Sequence, residues 1–169
     1  LVREGAEVHL VHWGETKKHT PYQAPECPGV IQYSQSEHNF ATLKALASGI
    51  DPKITVISGW QDRVYLAVAQ WLRRQGRIVV SGFDGQWKGN ARQQVAAALG
   101  RIRYFSRYYS NAWVAGPYQY EYARKLGFRK DEIIFDLYSA DISLFHSAYK
   151  RCFEDKASSY PHRFLFVGR

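Results

Sequence analysis

Five short stretches combine the residue types that handle small polar ligands: His12-Trp13-Gly14, Ser58-Gly59-Trp60-Gln61, Gly82-Phe83-Asp84-Gly85, Ala115-Gly116-Pro117 and Tyr138-Ser139-Ala140-Asp141. Glycine lets a ligand or another backbone approach closely, and an aromatic side chain offers a flat surface to a sugar ring or a base. Any one of these stretches reads equally well as a glycine ending a strand. Their repetition along one chain argues for a shared role. The densest chemistry lies in Asp84-Gly85-Gln86-Trp87-Lys88-Gly89-Asn90-Ala91-Arg92, where a carboxylate, an amide, an indole and two cations occur close together. The plainer reading of that segment is a turn at Asp84-Gly85 with Trp87 as a packing residue.

The elements that must position these stretches alternate. Val8 to Trp13 and Val30 to Tyr33 are β-rich runs separated by a stretch containing Pro21, Pro25, Pro28 and Gly29. Phe40, Leu43, Leu46 and Ala47 recur at helical spacing after Asn39, a suitable N-cap, and Gly49 with Pro52 is expected to stop that helix. Ile54 to Ser58 is a buried-type strand. Val64, Ala67, Val68, Trp71 and Leu72 mark one face of a helix from about 62 to 75, ended by Gly76, and Arg77 to Ser81 is the next strand. A long amphipathic segment is expected from about 90 to 108. Ala112 to Ala115 reads as a strand and Pro117 opens a helix that runs to Leu126. Ile133 to Leu137 is a further strand, residues 143–162 read as irregular and polar, and Arg163 to Val167 as a last strand. Helices alternating with apolar strands predict an α/β fold with a parallel sheet covered on both faces. Such sheets bind ligands at the carboxyl ends of their strands, where the five stretches fall.

Composition narrows the class. With 169 residues, 46% of them hydrophobic, the chain suits one substantial core. The 5 Trp, 12 Tyr and 9 Phe argue for a folded domain rather than a disordered tail. Cys27 and Cys152 lie far apart with no His at ligand spacing, so neither a zinc site nor a disulfide framework is indicated, and a reducing, cytoplasmic setting fits. No long apolar run or signal-peptide pattern is visible. The net charge of +8 favours an anionic partner: nucleic acid, a phospholipid surface or a phosphorylated substrate. Residues 101–109, Arg-Ile-Arg-Tyr-Phe-Ser-Arg-Tyr-Tyr, interleave cations with aromatics, as membrane-surface and nucleic-acid elements do; their plainer reading is a solvated helix face.

From Ala112 onward the order of segments resembles the N-terminal domain of family-4 retaining glycosyltransferases of the GT-B fold. The strand and helix of Ala112 to Phe128, closing on Leu126-Gly127, lead to Lys130-Asp131-Glu132-Ile133-Ile134 and then to Tyr138-Ser139-Ala140-Asp141-Ile142-Ser143-Leu144-Phe145. The family usually has Asn-Gly-Val before the Asp; this chain has Tyr-Ser-Ala, but keeps Asp141 and Phe145. Phe164-Leu165-Phe166-Val167-Gly168-Arg169 resembles the first strand of the family's second domain, and residues 84–94 resemble a subgroup of these enzymes.

The resemblance implies a Rossmann-like parallel sheet flanked by helices, the N-terminal half of a GT-B fold, lacking its first strand. It implies an acceptor-side domain at 1–145, an interdomain linker at 146–162 and the start of a donor-binding domain at 163–169. The chain is then expected to be truncated at both ends, and its sheet either to carry a central gap or to close up across it. The implied function is transfer of a sugar from a nucleotide-sugar donor to a glycan or lipid-linked acceptor with retention, without a metal cofactor, in the cytoplasm or peripherally at the inner face of the membrane. Such chemistry needs a carboxylate or amide near the sugar ring and cations at the departing phosphate. Asp84 stands where many members carry a histidine and becomes the catalytic candidate. Gly59, Trp60, Gln86, Trp87, Lys88, Arg92 and the strand-end His12 are assigned to acceptor and sugar binding, and Arg169 to the donor diphosphate.

Two other classes compete. A nucleic-acid-binding α/β module explains the charge but none of the strand-end stretches. A non-catalytic nucleotide or sugar sensor would share the fold. A Lys-Gly soon after Arg169 and paired Glu residues much later would favour the transferase.

Overall fold

The computed structural model describes residues 2–12, 28–34, 39–138 and 142–159. By internal contacts the chain divides into units of residues 1–137 and 138–169. The first unit carries β1 (Val8–His12), β2 (Val30–Ser34), α1 (Phe40–Ile50), β3 (Ile54–Ser58), α2 (Arg63–Arg74), β4 (Ile78–Phe83), α3 (Ala91–Arg101), β5 (Asn111–Val114), α4 (Pro117–Lys125) and β6 (Ile133–Ile134). The fold is α/β, and every strand pairing is parallel.

Local chemistry sets the helix starts. Asn39 caps α1 through its side-chain oxygen, which accepts from Ala41 and Thr42, and the Thr42 hydroxyl returns a bond to the Asn39 N–H. Asp62 caps α2 and Asn90 caps α3 in the same manner. Proline at the first position of α4 supplies the required φ and gives up an N–H that has no helical partner.

β3, β4, β5 and β6 lie side by side in sequence order, with Ile54 opposite Ile78, Ser81 opposite Ala112 and Ala112 opposite Ile133. The three crossovers step across the sheet in one direction, and crossovers of one hand place their helices on one face. The core follows that rule. From the sheet it draws Ile57, Val79, Phe83, Ala112, Val114 and Ile133, and against them pack Leu43 of α1, Val68, Ala69 and Leu72 of α2, and Tyr122, Ala123 and Leu126 of α4. The opposite face carries Ile54, Val56, Ile78 and Ile134, all exposed, around Val80 of β4, which is buried.

β1 and β2 form a separate two-stranded sheet, and β1 does not pair with β3. The strands therefore do not close up into one sheet.

Several boundaries differ from the sequence reading. α1 runs through Gly49 and ends at Asp51, which takes the left-handed conformation (φ 51°) and donates its N–H to the Ala47 carbonyl. The segment 90–108 is two pieces: α3 ends at Arg101, Arg103 turns left-handed (φ 53°), and a 3-10 turn, Tyr104–Arg107, follows. Only Ile133 and Ile134 of the stretch to Leu137 pair as a strand.

The second unit contains α5 (Ile142–Ser159), where an irregular stretch and linker were expected. Ile142, Phe145, Tyr149 and Phe153 recur at helical spacing and explain the helix; all four are exposed. The strand and domain start at 163–169 lie outside the described residues. Among the described residues no helix is long and apolar enough to cross a membrane.

Candidate functional site

The carboxyl ends of β3, β4 and β5 deliver three loops to one rim, and hydrogen bonds join them. Gly59 follows β3 with φ 72°, a conformation that favours glycine, and donates its N–H to the Gly82 carbonyl at 2.9 Å. Its own carbonyl accepts from the buried Tyr109 hydroxyl at 2.9 Å. Burial pushes the Tyr109 phenol well above its ordinary pKa, with the Ser81 hydroxyl beside it working the other way, so Tyr109 is a neutral donor throughout the physiological range.

The loop after β4 is held by two glutamines of α3. The Gln93 amide donates to the Gln86 carbonyl at 2.8 Å and accepts from the Lys88 N–H at 2.7 Å, while Gln94 donates to the Gly89 carbonyl at 2.8 Å. Gln119 of α4 donates to the Asp84 carbonyl at 2.8 Å, tying the third loop to the second. Asp84, Gln86, Lys88 and Arg92 are exposed along this clamped segment.

Tyr122 stands beneath the rim. It is buried, and its ring meets those of Trp60, Phe83 and Trp87 at 5.9, 5.9 and 5.7 Å. Burial raises its phenol pKa, opposed by the Arg92 charge and by a hydrogen bond with Gln93. Trp60 also packs on Phe83 and Phe105, and the Lys125 ammonium lies over the Trp87 ring at 4.9 Å. Both indoles are thus half-buried and engaged with the core, and Gly59, Asp84, Gln86, Lys88 and Arg92 are the candidates with ligand-facing chemistry.

Of the remaining sequence candidates, His12 is half-buried in the β1–β2 sheet, apart from the strands that carry the rim, and Arg169 lies outside the described residues. Tyr109, Gln93, Gln119 and Tyr122 were not singled out from sequence. A pattern of glutamines around Asn90, at the start of a helix after a strand-end loop, was the one available signal.

Much of the cation–aromatic stretch at 101–109 is engaged within the fold, while Arg101 and Ile102 are exposed. Phe105 and Tyr109 are buried, Arg103 donates to Glu132 at 2.8 Å, and the Arg107 guanidinium stacks over Tyr104 at 4.1 Å. Among the described residues no three His, Cys, Asp or Glu side chains converge as a metal site would need. Comparison with protein-family models, with curated proteins and with solved structures returns no match.

Proposed function

We propose that the chain is the acceptor-side half of a nucleotide-sugar-dependent glycosyltransferase of the GT-B type, transferring a hexose with retention to a glycan or lipid-linked acceptor. The observation that carries the reading is the rim: three loops at the carboxyl ends of a parallel sheet, tied by Gly59, Tyr109 and Gln119, with the segment after β4 clamped by Gln93 and Asp84, Lys88 and Arg92 exposed along it. A preorganised polar rim of this kind is where open α/β sheets bind ligands. A carboxylate suits the cationic character of the reacting sugar ring, and two nearby cations suit a phosphate or acidic group.

In this reading Asp84 is the catalytic carboxylate, Gly59 and Gln86 offer backbone and amide contacts to the acceptor, and Lys88 and Arg92 meet anionic groups. His12, Trp60 and Trp87 shape the wall, and Arg169 holds the donor diphosphate. Most donor contacts belong to a second domain, so residues 1–169 alone are expected not to turn over. The enzyme is proposed to act in the cytoplasm, with peripheral contact to an anionic membrane supported by the charge of +8.

The test is a transfer assay on a polypeptide carrying both halves, with the anomeric configuration of the product read by NMR. Product with the donor's configuration is expected. Inversion, or no transfer from any nucleotide sugar, contradicts the proposal.

A further inference from the structure

α3 and α4 enclose a cleft of about 520 Å³ walled by Trp87, Ala97, Arg101, Arg124 and Lys125. Its volume suits a small ligand. The cleft's shape is fixed by backbone, because Gly100 and Gly127 meet so closely that a Cβ on either would overlap the other helix's main chain. Two of the cations are held in place: Arg124 donates to the Phe128 carbonyl at 2.6 Å, and Lys125 rests over Trp87.

Three cations line this one concavity. Some arginines elsewhere meet carboxylates, Arg77 pairing with Asp51 and Arg103 and Arg129 with Glu132, while Arg73 donates to the Arg77 carbonyl and Arg107 stacks on Tyr104. No acidic side chain lines the cleft. Glu121, one turn earlier on α4, borders the adjoining shallow depression with Arg124 and Lys125. A cation in the last turn of a helix is favourable singly. Three around one concavity repel each other unless an anion joins them.

We propose that this cleft binds a phosphomonoester carrying a flat or apolar group, the phosphate held by Arg101, Arg124 and Lys125 and the apolar part lying along Trp87 and Ala97. A guanidinium matches phosphate oxygens two at a time, and an ammonium adds a movable point charge. The ligand is either a free phosphorylated metabolite or the headgroup of a phosphatidic-acid-type lipid. The site shares Trp87 with the wall proposed for the transferase rim, but its phosphate-holding cations are not part of that reading.

The probe is phenyl phosphate, titrated into the protein by calorimetry and by the Trp87 indole N–H resonance, with phenol as the uncharged control. A parallel arm sediments phosphatidylcholine vesicles with and without phosphatidic acid. The variant is Arg101→Gln with Lys125→Gln; both side chains are exposed and neither holds the backbone, so retained thermal unfolding will report an intact fold. Saturable binding of phenyl phosphate, weakened tenfold or more in the variant and absent for phenol, supports a free ligand. Binding only to phosphatidic-acid vesicles, lost in the same variant, supports the headgroup. Absence of binding in both arms, or binding that the variant retains within twofold, overturns the proposal.

Discussion

The two faces of the β3–β6 sheet are made from the same strands and much the same residues, yet they stand in opposite environments. Ile57 is buried under the helices while Ile54, on the same strand, is 59% exposed. Val79 is buried and its neighbour Ile78 is exposed. Strand order explains the contrast. A sheet that grows in one direction receives right-handed crossovers on one side only, and the opposite face keeps its apolar side chains without cover from α1 to α4. Apolar content in a strand therefore reports membership of a parallel sheet, and topology decides which half of it forms the core.

Substitutions break or sharpen that contrast in a definite order. Gly100→Ala should be the most damaging, by about 3 kcal/mol or more, because its Cβ would overlap main chain of α4 that has no room to retreat; urea denaturation measures it. Ile57→Ala should cost about 2–4 kcal/mol, the range for emptying a packed site, whereas Ile54→Ala should cost less than about 1 kcal/mol. Equal losses at the two isoleucines would mean that the exposed face is covered in solution. Tyr109→Phe removes the bond to the Gly59 carbonyl and should cost about 1 kcal/mol, with faster amide exchange at Gly59 as the local signature.

The smallest effect concerns charge. Burial pushes the Glu132 carboxyl up, but the Arg129 N–H, the Arg103 hydrogen bond and the two guanidinium charges outweigh it and hold the carboxyl below its ordinary pKa. A carboxylate lowered by folding stabilises the native state above its unfolded pKa of roughly 4.3, and that contribution is lost as pH falls through the folded value. Stability should thus be flat in this respect from pH 7 to about 5 and decline below. Glu132→Gln should flatten the acid limb, with a loss near neutrality of under about 1 kcal/mol.

The alternation of strands and helices was legible because parallel strands buried in a core read as short apolar runs, α1 to α3 begin at side-chain N-caps, and α4 begins at Pro117. α5 was harder to see: Ile142, Phe145, Tyr149 and Phe153 sit among Ser143, His146, Ser147, Lys150 and Arg151, which read as a polar linker. The break after α3 was not legible because Arg103 takes the left-handed conformation, which a non-glycine residue seldom signals in sequence. The site was legible in part. Strand-end position singled out Gly59, Asp84 and the 86–92 segment, but an indole that stacks on a ligand and one that stacks on Tyr122 look alike in sequence. Gln93 gains its role only when the loop after β4 folds back on α3, and Gln119 only when the second and third loops meet. Tyr109 gains its role only under Gly59.

The claim that the carboxyl-end rim is where the chemistry happens rests most on Asp84. Its direct test is kcat for sugar transfer by Asp84→Asn and Lys88→Ala in a polypeptide carrying both halves, beside Asp62→Ala, which removes the N-cap of α2. The account predicts a loss of about a hundredfold or more in kcat for Asp84→Asn, a rise in KM for Lys88→Ala, and near-normal turnover for Asp62→Ala. Unchanged transfer by both Asp84→Asn and Lys88→Ala would contradict it.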